Sequence, residues 1–335
     1  MSEYLDSLIH RVDLDELVRY VDNTCAARDF EHLIDIRDRS RAAINTGRQL
    51  WPIATLANYR LALYAPAHLA VRSLDDNART FMPGPLSEIL SVHHSWDELS
   101  EHLPQGPDRS LVAYERALRG DIIATDETDA LDIPVAPCEW EPSYPIATYD
   151  DDGVHCDPPT LPDDDYAFTS QSQQAHDSNE IDDCEIDDDD TVTAVRELFS
   201  SWTTESNGSV SVTVVDGSIR DALIVHGLSD AQTAPIATST ALAWLAWAGA
   251  SGGAHGTRRG MATGRFGAWW LSATIADIVD DWPLTDAASQ NVMTHLQWER
   301  YSHPTRDTNG WVVHLAVHDP STGVSICIDA ADSAD

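Results

Sequence analysis

The sequence predicts an α+β protein: an all-helical N-terminal region, a disordered acidic linker, and C-terminal helices packed on a small antiparallel sheet. Three observations predict it. Apolar residues recur at helical spacing from Leu5 to Ala65. Residues 121–195 hold 23 acidic side chains and no base. The stretch from Leu296 to Asp329 then alternates apolar and polar residues in three short runs.

The elements follow in order. Leu5, Leu8, Ile9 and Val12, then Leu14, Leu17, Val18 and Val21, mark the first helical turns. Leu33, Ile34, Ile36 and Ile44 predict another helix, and Leu50 to Ala65 one more, ended by Pro66. Pro83-Gly84-Pro85, Pro104 and Gly106-Pro107 punctuate shorter helices, including one over Ser110 to Arg119. Residues 1–120 are therefore expected as a helical domain, a bundle or a short HEAT-like stack.

Residues 121–190 are expected as an acidic, low-complexity linker, largely disordered. Little apolar surface and dense like charge cannot offset the entropy of ordering such a chain. Residues 191–335 are expected as an α+β domain. Its first helix starts near Thr191, whose hydroxyl is a candidate cap. A strand over Ser209 to Val215 and a helix over Ile219 to His226 follow. Two long helices, about 237–249 and 260–279, flank a Gly-rich segment, and a β-meander ends the domain: Leu296–Ser302, Trp311–Asp319 and Val324–Asp329.

Composition narrows the function classes. The chain has 335 residues, 56 acids against 20 bases and a net charge of −36. Every base is arginine and there is no lysine, for which whole-genome composition is the simplest reading. Such a charge repels nucleic acid and anionic membranes. Five irregularly spaced cysteines argue against a disulfide framework and for a reducing compartment. The N-terminus lacks a signal-peptide pattern, and Ala234 to Ala250 is too short for a membrane span. A cytoplasmic location is expected, with no membrane or nucleic-acid partner.

Four constellations are candidates for chemistry. The densest positive charge after the N-terminal region lies in Gly249 to Arg265. There Ser251, Gly252, Gly253, His255 and Gly256 precede Arg258 and Arg259, with Arg265 two turns on. Glycine backbone amides and three guanidinium groups suit a phosphate or another small anion, with His255 as acid, base or further donor. The segment fits neither a Walker A loop nor a dinucleotide fingerprint. Its plain structural alternative is a tight helix–helix turn whose arginines pair with the chain's own acids.

In the C-terminal hairpin, matching the apolar faces sets Val317 against Ile326 and Leu315 against Ile328. His318 then faces Ser325 and His314 faces Asp329, with Cys327 on the same side. A His–Asp pair beside a cysteine is a candidate nucleophilic site, against the ordinary expectation of a solvent-wetted sheet face. Cys138, His155, Cys156 and Cys184 lack the close pairs of structural zinc sites, so no metal and no cofactor is expected. The acidic run carries no EF-hand pattern and is expected as a solubilising spacer. Trp244, Trp247, Trp269 and Trp270 have the spacing of core residues.

The stretches Trp247 to Gly260, Gly264 to Trp270, Phe81 to Glu88 and Gly310 to Asp319 resemble an uncharacterised group of soluble actinobacterial proteins of unknown function. The resemblance covers the first and third regions and implies no activity, so no functional residue is carried over. The sequence points first to a cytosolic interaction or scaffold protein, with an unknown protein partner. The alternatives are a small-anion-binding module at Gly249–Arg265 and a hydrolase-like site using His314, Cys327 and Asp329.

Overall fold

The computed structural model describes residues 2–75, 82–124, 131–159, 184–284, 287–306 and 310–333. Two compact units divide the chain. One comprises Met1–Ala130 with Ala147–Cys156, the other Leu131–Ile146 with Asp157–Asp335.

The first unit is helical, as its periodicity predicts. It contains α1 (Ser2–Arg11), α2 (Leu14–Ala26), α3 (Phe30–Ile44), α4 (Trp51–Tyr64), α5 (Ala67–Ala70), α6 (Leu86–His93), α7 (Trp96–Ser100) and α8 (Pro107–Leu118). Asp13 and Asp29 cap α2 and α3 by accepting from the amides of Glu16 and His32. Leu17, Val21, Leu33, Ile36 and Leu61 are fully buried and form its core. The unit also holds a hairpin, β1 (Thr148–Asp150) and β2 (Gly153–His155). Tyr149 of β1 donates to the buried Glu88 at 2.6 Å, and Tyr59 donates to Asp150 C=O at 2.6 Å.

The expected linker is therefore shorter than 121–190. Residues 131–159 are ordered into the two units and Cys184–Asp190 leads directly into a helix. The reason is local: Ile133, Val135, Tyr144, Ala147 and Tyr149 are buried, so this part of the acidic stretch carries its own core residues. Residues 125–130 and 160–183, which the linker expectation also covers, lie outside the described residues.

The second unit is α+β. Its helices are α9 (Asp189–Leu198), α10 (Ser200–Thr204), α11 (Ile219–Val225), α12 (Thr238–Ala250), α13 (Met261–Ile275) and α14 (Ala287–Met293). Its strands are β3 (Ser209–Asp216), β4 (Gln232–Ile236), β5 (Gln297–Ser302), β6 (Trp311–His318) and β7 (Val324–Asp332). They form one antiparallel sheet in the order β3-β7-β6-β5-β4. The meander register matches the expectation: Val317 lies opposite Ile326, Leu315 opposite Ile328 and His314 opposite Asp329. The cap of α9 is Asp188, whose carboxylate accepts from the Thr191 amide at 3.0 Å, rather than Thr191 itself.

Helices pack on both faces of the sheet, which corrects the expectation of a wholly wet polar side. On the apolar face Trp247 of α12 stacks on Trp311 of β6, 4.8 Å between centroids. On the other face Ile219, Ala222 and Leu223 of α11 pack against Val215, Ala316 and Cys327. An alternating polar strand looks solvated in sequence, but here α11 packs on that side of the sheet.

Helices α12 and α13 approach closely at Gly264. A Cβ there would collide with the Ala246 carbonyl and the Ala250 backbone, neither of which can move without breaking α12. Gly264→Ala is expected to lower stability by about 3 kcal/mol through overpacking. Denaturant unfolding of the two proteins checks it.

Candidate functional site

The Gly-rich segment forms a turn whose donors are taken by the chain itself. The Ala254 amide donates to Asp332 at 2.6 Å, the Thr257 amide to Glu205 at 3.0 Å and the His255 amide to the Ser206 hydroxyl at 3.0 Å. The Gly256 amide closes on Gly252 C=O at 2.9 Å. Gly253 has φ +69°, and a Cβ there would strike the Asp332 carboxylate. Ser251 is buried, accepts from the Trp202 indole at 2.9 Å and donates to Ala248 C=O at 3.0 Å. The amides do gather carboxylates, as the glycine pattern suggests, but the carboxylates are internal.

The arginines do not converge. Arg258 is buried and Arg259 is half-buried, donating to Glu197 C=O at 3.2 Å and Ser200 at 3.1 Å. His255 is exposed. Arg265 is fully buried and gripped by Glu141, with Nε and Nη2 each 2.7 Å from a carboxylate oxygen. Its remaining donors meet the carbonyls of Pro134, Val135 and Ala136.

Glu141 also accepts from Tyr144 at 2.6 Å, the Trp269 indole at 3.0 Å and the Cys138 amide at 2.7 Å. Burial pushes the Glu141 carboxyl upward, but the guanidinium and these donors together hold it below the usual range. The same burial and the Glu141 charge push the Cys138 thiol up to about 11.

The C-terminal candidates do come together. Asp329 Oδ1 lies 3.5 Å from His314 Nε2, and Oδ2 lies 3.7 Å from His226 Nε2 and 2.5 Å from Arg306 Nε. His226, at the end of α11, also meets Thr213 through Nδ1 at 2.8 Å and Ser211 through Nε2 at 3.1 Å. Tyr301 stacks on the His314 ring, 5.1 Å away and 16° from parallel, and donates to Ile328 C=O. Burial raises the Asp329 pKa, yet the two imidazoles facing it and the nearby charge of Arg306 pull it well below the usual carboxylate range.

Sequence reasoning placed His314 beside Asp329 and missed His226, Arg306 and Thr213. Hairpin register identifies only cross-strand neighbours. His226 arrives from a helix and Arg306 from a loop, and neither has a sequence signal.

Chemically the cluster is a neutralised carboxylate with two imidazoles. It lacks the opposed geometry of a hydroxyl–imidazole–carboxylate relay at Ser211, which shares Nε2 of His226 with Asp329. Cys327 is fully buried and burial raises its thiol to about 12, so it is protonated at neutral pH rather than nucleophilic. His318 and Ser325 face each other at 2.9 Å, and Ser325 donates onward to Gly217 C=O.

Among the described residues no group of three or more His, Cys, Asp or Glu side chains could hold a metal ion. Cys138 and Cys184 belong to one unit and His155 and Cys156 to the other. A cavity of about 510 Å³ opens beside the first turn of α12, lined by Pro142, Pro145, Asp157, Pro158, Ser239 and Thr240 among others. None of the site residues expected from the sequence lines it. No helix among the described residues is long and apolar enough to cross a membrane.

Fold and site together define an α+β protein whose helical unit accompanies a sheet with helices on both faces, with its charged clusters closed on themselves. The chain belongs to DUF6183, a family of unknown function whose model matches residues 15–333. No curated protein and no solved structure matches it.

Proposed function

We propose that the chain is a non-enzymatic cytoplasmic interaction protein that docks a partner protein on its N-terminal helices. One observation carries this reading. Of the eight large apolar side chains exposed among the described residues, six lie on α1–α4: Tyr4, Leu14, Val18, Ile44, Trp51 and Tyr64. Leu14 and Val18 sit one turn apart on α2, so their exposure is adjacent. Adjacent exposed apolar side chains, such as Leu14 and Val18, are where a protein contact would be centred.

The partner is a different protein rather than a second copy, because a charge of −36 on each chain opposes self-association. The engagement of Glu141, Asp332 and Glu205 with internal donors supports binding over catalysis.

The test is a Leu14→Gln/Val18→Gln double variant, which keeps helix propensity and removes the apolar pair. Its melting temperature is expected to stay near that of the parent. Its quantitative co-purification profile from native cells is expected to lose at least one partner by about tenfold, as for hot-spot truncation. Identical profiles would remove the helical face from consideration.

A further inference from the structure

The ladder between β3 and β7 uses alternate residues of β3, and the others point their backbone groups away from the sheet. Val214 C=O accepts from the Ile186 amide at 3.0 Å and the Asp216 amide donates to Cys184 C=O at 2.9 Å. The even-numbered residues therefore face outward. Cys184–Ile186 lies on this edge as an antiparallel bridge, Glu185 opposite Val215, before the chain turns into α9 at Asp189. Next along the same side come Val212 and Val210, whose outward N–H and C=O groups have no partner among the described residues. Ser209 and Ser211 beside them are exposed.

The two edges of the sheet differ. The β4 edge carries Pro235, next to its last residue, and a proline offers no N–H to an incoming strand. The β3 edge carries Ser-Val-Ser-Val-Thr, with no proline and no charge. Acids flank it at both ends: Glu205 before the strand, and Glu185, Asp187 and Asp216 at its far end, all exposed.

We propose that the Ser209–Thr213 edge of β3 binds a basic, extended segment of another protein by strand addition. The outward backbone groups of Val210 and Val212 supply the hydrogen bonds, and the flanking carboxylates select cationic side chains. A second β3 edge would bring the same acids against these, so charge selects a basic partner over a second copy. The surface lies on the C-terminal unit and is independent of the α1–α4 contact, so either can fail alone.

The probes are a labelled decapeptide alternating arginine and threonine, and its glutamate counterpart, titrated against the full chain. Saturable binding of the basic peptide is expected, with none for the acidic one. Val210→Pro and Val212→Pro remove outward donors without touching the ladder to β7 or the net charge, and each is expected to weaken binding at least about tenfold. In the parent, the Val210 and Val212 amides are expected to gain hydrogen-exchange protection when peptide is added.

Proline variants that bind like the parent would show that charge alone holds the peptide, and would overturn the proposal. Absence of saturable binding, equal binding of the acidic peptide, or a dimer closed through β3 in solution would each do the same. Unchanged exchange at Val210 and Val212 would overturn it even if a proline variant failed to fold.

Discussion

Glu141→Ala is expected to cost the C-terminal unit about 3–5 kcal/mol, the usual cost of breaking a buried ion pair. The substitution leaves the Arg265 guanidinium fully buried against three carbonyls with no counter-charge. It also removes the acceptor for Tyr144, Trp269 and the Cys138 amide. At roughly 2–4 °C per kcal/mol for a unit of this size, the melting temperature falls by about 10 °C. Calorimetry of the two proteins checks this. Arg265→Lys is expected to recover little of the loss, since an ammonium cannot reproduce the two-pronged contact. A loss within experimental error would mean that residues 131–146 do not hold this conformation in solution.

Asp329→Asn is expected to lower stability at neutral pH by about 3 kcal/mol, because Arg306 and two imidazoles lose the shared negative charge they face. Its pH dependence gives a second check. The folded Asp329 pKa lies below its unfolded value, near 3.9, so its stabilising contribution is complete above that value. The contribution is lost as pH falls through the lower folded pKa. The stability gap between parent and variant is therefore expected to be widest near neutrality and to close in acid. Denaturant unfolding across pH 2–7 would show it, and a gap independent of pH would dissociate Asp329 from the cluster.

Much of the fold was legible in the sequence, and the reason is periodicity. The runs in α2 and α3 have one buried face each, so helical spacing locates them, whereas α4 is buried on all sides from Ala57 to Leu63 and is located by its apolar run ending before Pro66. The β6–β7 register was legible because Val313, Leu315 and Val317 must share a face with Ile326 and Ile328, and any one-residue slip would reverse them. The function of the opposite face was not legible. Alternation shows that His314, Asp329 and Cys327 share a side, not that α11 packs on that side.

Non-local pairing explains the other misses. Glu141 sits in a stretch that reads as solvated charge, and its partner Arg265 is distant in sequence. Only the fold joins them, and the joining turns a candidate anion-binding arginine into an internal clamp. Strand β4 was missed because Pro235 and its short length weaken any strand signal, although an edge position tolerates both.

The place of β7 in the sheet bears on how the chain acquires its structure. Among the strands of the sheet, β3 pairs with β7 alone, roughly a hundred residues further along the chain, and β7 also carries β6 on its other side. Contacts of such separation close slowly, because a long loop must be ordered before they form. During synthesis β3 lacks its strand partner until the segment Val324–Asp332 has emerged, and Asp332 from that same segment is what ties down the Gly253–Ala254 turn. The C-terminal unit thus completes its folding late and from its far end, and until then the β3 strand has only the short Cys184–Ile186 bridge beside it.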